Sequence, residues 1–186
     1  MIYQEGSVYH IYNRGCNKNN IFNNPENYRY LIRRILRSYK KYNISIIAFC
    51  LMPNHYHFLI RQDSEISISL WLRSLFIGYT LAINKQQNRT GTLFSGRAKA
   101  KLIDDEKYLQ YLTFYIHQNP VKAGLVKKME DWEFSNYLEC IGVRDDYPND
   151  KKIIENYFGS SSMYRNFSNV HMTDFEVGKM NKYLFD

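Results

Sequence analysis

Two of the chain's five histidines, His55 and His57, stand two residues apart inside the apolar stretch FCLMPNHYHFLIR (49–61). On a strand, side chains two apart share a face, whereas on a helix turning roughly 100° per residue they diverge by about 200°. Read as a strand, the stretch gives a pair of imidazoles that can hold a metal ion or simply line a wet face. Later in the chain Tyr108, Tyr111 and Tyr115 recur at spacings of three and four, and Asn119 follows four residues after the last. On a helix these residues share one side, and such a row is ordinary core material. It can also carry chemistry. A tyrosine phenolate attacking a DNA phosphodiester forms a 5′ phosphotyrosine and releases a 3′ hydroxyl, dividing one displacement into two reversible ones. A divalent ion polarises the phosphate under attack. Two imidazoles and an amide oxygen leave coordination positions open for phosphate and water, as Mg²⁺ or Mn²⁺ sites do. Asn119 is the candidate third ligand. His117 competes, but two residues from Tyr115 it falls well round the helix, and the four-residue spacing favours Asn119. Spacing alone does not choose between Tyr111 and Tyr115 as the nucleophile.

The elements that would position these groups can be read from pattern. SVYHIYN (7–13) alternates weakly and stops at Arg14-Gly15, which reads as a first strand. Asn24 is a candidate N-cap with Pro25 at the first helical position, and Tyr28, Leu31, Ile32, Ile35 and Leu36 recur at helical spacing. The opposite side of that helix carries Arg29, Arg33, Arg37 and Lys40, either a solvated face or a phosphate-tracking one. ISIIAFC (44–50) and HYHFLIR (55–61) are strands joined across Pro53 and Asn54, so the histidines sit on the second arm of a hairpin. An amphipathic helix follows from Ser67 to about Asn84 despite Gly78, then a short strand near 98–103. The tyrosine helix has acids in its first turn and is expected to stop at Asn119-Pro120. The order strand, helix, strand, strand, helix, strand, helix implies an α+β fold: a split βαβ core whose antiparallel sheet is covered by helices on one face. Residues 1–142 are read as the catalytic domain and 143–186 as a small helical C-terminal extension, packed on the domain or trailing it.

Composition bounds the partners. The chain has 186 residues, 25 Lys and Arg against 18 Asp and Glu, and a formal net charge of +7. One core with an appendage is the expectation at this length, and the basic balance suits a polyanionic partner. Seventeen tyrosines raise the aromatic share to 16%, and rings on a basic surface can stack unpaired bases. Three widely spaced cysteines argue against a disulfide framework and for a reducing compartment. No apolar run approaches the roughly 18 residues a membrane span needs, and the start lacks a basic segment followed by an apolar one. A cytoplasmic protein with no membrane partner is expected.

With these residues in view, MPNHYHFLI resembles the histidine-hydrophobic-histidine motif of the single-domain, HUH-type tyrosine transposases acting on single-stranded DNA, and YIHQNPVKAGLV resembles their tyrosine helix. The branch most similar is that of the REP-associated tyrosine transposases. YHIYNRG (9–15), GTLFSGR (91–97) and WEFSNY (132–137) match further segments in the same order. The resemblance covers roughly residues 5–140. It implies a ferredoxin-like fold, Tyr115 as nucleophile, His55 and His57 as metal ligands with Asn119 completing the site, and cleavage and rejoining of hairpin-forming single-stranded DNA with a divalent cation, Mg²⁺ or Mn²⁺. Tyr56 is bulkier than the aliphatic residue often found between the histidines. Arg14 and Arg97 belong to matched segments and, with Lys99 and Lys101 of RAKAK (97–101), are the candidate phosphate contacts; the alternative for Arg97 is an ion pair with the acidic start of the tyrosine helix. Both a monomer and a homodimer remain open. Two rival functions use the same residues differently: a non-catalytic binder of structured single-stranded nucleic acid, and a metallohydrolase without a covalent tyrosine.

Overall fold

The computed structural model describes residues 3–171. Strands β1 (Val8–Arg14), β2 (Ile44–Met52), β3 (His55–Gln62) and β4 (Lys99–Ile103) form one sheet in the order β2-β3-β1-β4, with every neighbouring pair antiparallel. Helix α1 (Pro25–Ser38) connects β1 to β2, and α2 (Ile68–Gln86) connects β3 to β4. This is the split βαβ arrangement, in which β1 and β3 lie side by side at the centre. Local chemistry sets the boundaries. Asn24 is extended and its side-chain oxygen accepts from Asn27 N at 3.1 Å, with Pro25 opening α1. Ser67 caps α2, and Pro53-Asn54 closes the hairpin so that Met52 faces His55.

Side-chain alternation divides the sheet into two faces. One carries Tyr9, Ile11, Phe49, Leu51, Tyr56, Phe58 and Ile60, packed under Leu31, Ile32 and Ile35 of α1 and Trp71, Leu72 and Leu75 of α2. The other carries Val8, Cys50, Met52 and Leu59, and it is covered by α3 (Glu106–Lys122) together with α4 (Tyr137–Cys140), α5 (Lys151–Phe158) and α6 (Ser161–His171). The expectation of helices on one face therefore describes α1 and α2; α3 lies on the opposite side. The reason is in β2, where almost every residue is apolar and buried, so both sides of the strand must be covered. Ile153, Ile154, Phe158 and Tyr164 of α5 and α6 join that second core. The remainder of the extension expected over 143–186 lies outside the described residues.

A register shift between Ile46 and Ala48 places Ile47 and Ala48 together on the second face. The bulge leaves backbone groups without ladder partners, and Asn136 of the WEFSNY segment satisfies them. Its Oδ1 accepts from Phe49 N at 2.7 Å and its Nδ2 donates to Ile47 O at 3.2 Å and Pro148 O at 3.1 Å. The segment thus locks the tyrosine-side core onto β2.

The tyrosine helix runs two residues beyond Pro120 rather than ending before it. Proline removes the N–H that Ile116 O would accept. Asn119 offsets this loss, its Nδ2 donating to Tyr115 O at 2.8 Å and, more weakly, to Ile116 O at 3.4 Å. Asp105 caps the other end by accepting from Tyr108 N at 2.6 Å.

Candidate active site

Strand parity puts His55 and His57 on the α3 face of the sheet, and antiparallel pairing surrounds them. Arg14 is the cross-strand partner of His55, and Tyr12 that of His57; Lys99 and Lys101 on β4 lie opposite Tyr12 and His10. His55 and His57 meet edge to face with ring centroids 5.2 Å apart, and Tyr115 stands edge-on to His57 at 6.0 Å. Tyr115 is half-buried, whereas Tyr111 is buried and stacks on it at 6.2 Å. The geometry thus brings Tyr115 against the histidine pair. His55 also hydrogen-bonds the Asn119 side chain, which closes a cluster of two imidazoles, one amide and one phenol within a single chain.

The hydrogen bonds orient the rings. His55 Nδ1 meets Asn54 Oδ1 at 2.7 Å, and Asn54 Nδ2 donates to Lys18 O at 3.3 Å, which identifies the amide oxygen as the atom facing the ring. His57 Nδ1 meets Nε2 of His10 at 2.9 Å. Both Nδ1 atoms are therefore used within the protein, and Nε2 is the atom each ring would give to a metal. Among the described residues no group of three His, Cys, Asp or Glu could hold a metal, and the further oxygen donor at hand beside the two histidines is the Asn119 amide that His55 hydrogen-bonds. Two imidazole nitrogens and one amide oxygen are a donor set that a divalent cation such as Mn²⁺ accepts while keeping positions for other oxygen ligands.

Burial governs protonation here. It lowers the pKa of His55 and lowers that of His57 well below the ordinary value, with neighbouring histidines adding to the latter effect. His10 is pushed down to about 3, by burial first and then by Lys101. The rings are thus neutral near pH 7, the form that ligates metals. Burial also raises the Tyr115 phenol above its usual value, and the Lys122 ammonium lies 5.0 Å over its ring.

The rival third ligand, His117, is fully buried and faces away from this cluster. Its Nε2 donates to Asn136 Oδ1 at 2.9 Å, and the Tyr164 hydroxyl donates to its Nδ1 at 2.6 Å. It is a strut between α3, the Asn136 segment and α6. The candidate phosphate contacts divide. Arg14, Lys99 and Lys101 belong to the histidine face by parity, while Arg97 borders a groove on the opposite face with Tyr56, Phe76 and Ala98. No ion pair joins Arg97 to the start of α3 among the described residues. On α1, Arg29 pairs with Glu26 and Glu133, and Arg33 with Glu26, so two members of that basic row serve the protein's own surface. Sequence pattern did not single out His10; the signal was its place two residues before Tyr12 on a strand that pairs with the histidine strand.

A split-βαβ sheet carrying a histidine pair against a tyrosine helix is the architecture of the class anticipated from the motifs. The family model described as "Transposase IS200 like" matches residues 3–119, and the chain belongs to that family. Among its relatives is the "Putative REP-associated tyrosine transposase" of Haemophilus influenzae, 27% identical over 119 residues that make up 59% of this chain and 67% of that protein. The fold is similar to that of a REP-associated tyrosine transposase solved bound to a REP hairpin, with a TM-score of 0.65 and 21% identity over 81% of this chain and 90% of that one. The chain is thus a transposase-like protein of a family that acts on DNA. No described helix is long and apolar enough to cross a membrane.

Proposed function

We propose that this protein is a metal-dependent endonuclease and strand transferase for hairpin-containing single-stranded DNA, working in the cytoplasm through a covalent link to Tyr115. The observation that carries the reading is the convergence of His55, His57, Asn119 and Tyr115 from β3 and α3 of one chain. His55, His57 and Asn119 hold the divalent ion, which when bound supplies Lewis-acid polarisation of the scissile phosphate. Tyr115 Oη attacks the phosphorus. The P–O3′ bond breaks, the phenolic proton is lost, and the departing 3′ oxygen is released as a hydroxyl after taking up a proton, leaving a 5′ phosphotyrosine. Because burial holds the phenol neutral, the nucleophile must be generated as the phosphate docks, and the nearby Lys122 ammonium favours the negative oxygen. Arg14, Lys99 and Lys101 bind the DNA backbone beside the histidines, and Arg97 takes a separate stretch of strand.

Incubation with labelled hairpin single-stranded DNA and Mn²⁺ is expected to give an adduct that survives denaturation, is absent with chelator, and is absent in Tyr115→Phe. Cleavage that persists in Tyr115→Phe would favour a water-using metallohydrolase. Hairpin binding with no adduct and no response to chelator would favour a non-catalytic binder.

A further inference from the structure

We infer that His10 is a positioning residue for His57: it accepts the His57 Nδ1 proton and so fixes the ring in the form whose lone pair is on Nε2. The inference rests on the reading of His57 as a metal ligand. His10 Nε2 and His57 Nδ1 lie 2.9 Å apart, with the ring planes within 15° of each other. Both rings are buried, with 2% and 0% exposure. Two imidazoles meeting nitrogen to nitrogen share one hydrogen, and its ownership decides what His57 can do. If His10 donates, His57 carries its own hydrogen on Nε2 and has no lone pair there for an ion. If His57 donates, Nε2 is a ligand atom.

Two observations favour the second state, and a third shows that the contact itself is what position 10 provides. His55, the other candidate ligand, is set in the same manner, its Nδ1 meeting an amide oxygen that can only accept. Metal-binding histidines generally donate their second N–H to a neighbouring acceptor, which fixes tautomer and orientation, and His10 occupies that place for His57. The remaining nitrogen of His10, Nδ1, is buried with no hydrogen-bond partner among the described residues. A buried polar group left half-satisfied is destabilising, so stability alone would favour an apolar residue at position 10, and the contact with His57 is what a histidine there provides.

The test uses the full chain labelled with ¹⁵N, in which long-range ¹H–¹⁵N correlations report the tautomer of each histidine without metal. The expected result is His57 as the Nδ1–H form in wild type, a shift toward Nε2–H in His10→Leu, and retention in His10→Gln, whose amide oxygen can accept. Mn²⁺ titration followed by water-proton relaxation is expected to show affinity falling by about 10–100-fold in His10→Leu, with substantial recovery in His10→Gln. An Nε2–H tautomer for His57 in wild type overturns the inference, as does an unchanged His57 tautomer in folded His10→Leu. The wild-type tautomer decides the matter should His10→Leu not fold. Should wild type take up no Mn²⁺ while its His57 is in the Nδ1–H form, the metal reading fails and the positioning role stands.

Discussion

His117 and His57 show how little a residue type says before its neighbours are known. Both are buried imidazoles, one spent on holding helices together and the other turned toward a tyrosine. The structural one makes a prediction with a definite sign. His117 is lowered from 6.5 to about 4, by burial first, with the Asn136 hydrogen bond opposing. The unfolded chain therefore takes up a proton that the native state refuses. The stabilisation is complete above the unfolded value of 6.5 and is lost as pH falls from there toward 4, on the order of 1 kcal/mol per pH unit. Urea unfolding between pH 7.5 and 4 is expected to show a shallower dependence in His117→Gln than in wild type; parallel curves would remove His117 as a contributor. His117, two residues beyond Tyr115 on a regular helix, turns toward Asn136 and Tyr164 and away from the histidine pair. His10 was not legible from spacing, since its contact with His57 spans 47 residues of sequence and depends on which strands pair.

At the scale of elements, sequence pattern gave the hairpin, the caps and the helix order, because alternation, Asn24-Pro25 and Pro53-Asn54 are local signals. Two features escaped it for non-local reasons. The end of α3 was set too early because Pro120 was read as a stop, whereas the Asn119 amide supplies the missing donor. Gly78 looked like a weakness in α2, yet a Cβ there would come within 2.1 Å of Arg34 Nη2. The glycine makes room for Arg34 of α1 to donate to Leu75 O at 3.2 Å and Ser74 O at 2.9 Å, fastening the two helices together. Gly78→Ala gains helix propensity of up to about 1 kcal/mol and displaces the guanidinium, losing hydrogen bonds worth about as much or somewhat more. It is expected to be neutral to mildly destabilising in wild type and to become stabilising by about 1 kcal/mol in an Arg34→Ala background. Chemical denaturation of the four proteins of that cycle measures the coupling; equal effects in both backgrounds would mean that Gly78 does not serve Arg34.

For the whole molecule, the arrangement predicts where the reaction's parts come from. The histidines of β3 and the tyrosine of α3 meet within one chain, and α3 makes extensive packing contacts with β2 of that chain through Leu109, Leu112 and Ile116. Strand cleavage is accordingly expected in cis. Mixing equal amounts of His57→Ala and Tyr115→Phe should restore no adduct formation, whereas recovery toward a quarter or half of wild-type yield would reveal exchange of the tyrosine helix between subunits. Net charge already suggested a polyanionic partner, but it could not say which surface the partner uses. Strand register puts Arg14, Lys99 and Lys101 beside the histidines, and Arg97, before β4 begins, lines the groove on the other side.

The division of the sheet into two differently roofed faces also orders events during synthesis. β1 to β4, α1 and α2 emerge from the ribosome first and supply most of the core containing Trp71 and Phe58, to which Phe134, Trp132 and Tyr147 are added later. The face bearing Ile47, Cys50, Met52, Leu59 and the histidines stays bare until α3 and the helices after it have been made. A nascent chain halted before residue 106 therefore carries the histidine half of the site without its tyrosine, together with an uncovered apolar sheet. On the proposed mechanism such a fragment has no nucleophile, so cutting would be confined to chains that have been made at least as far as α3.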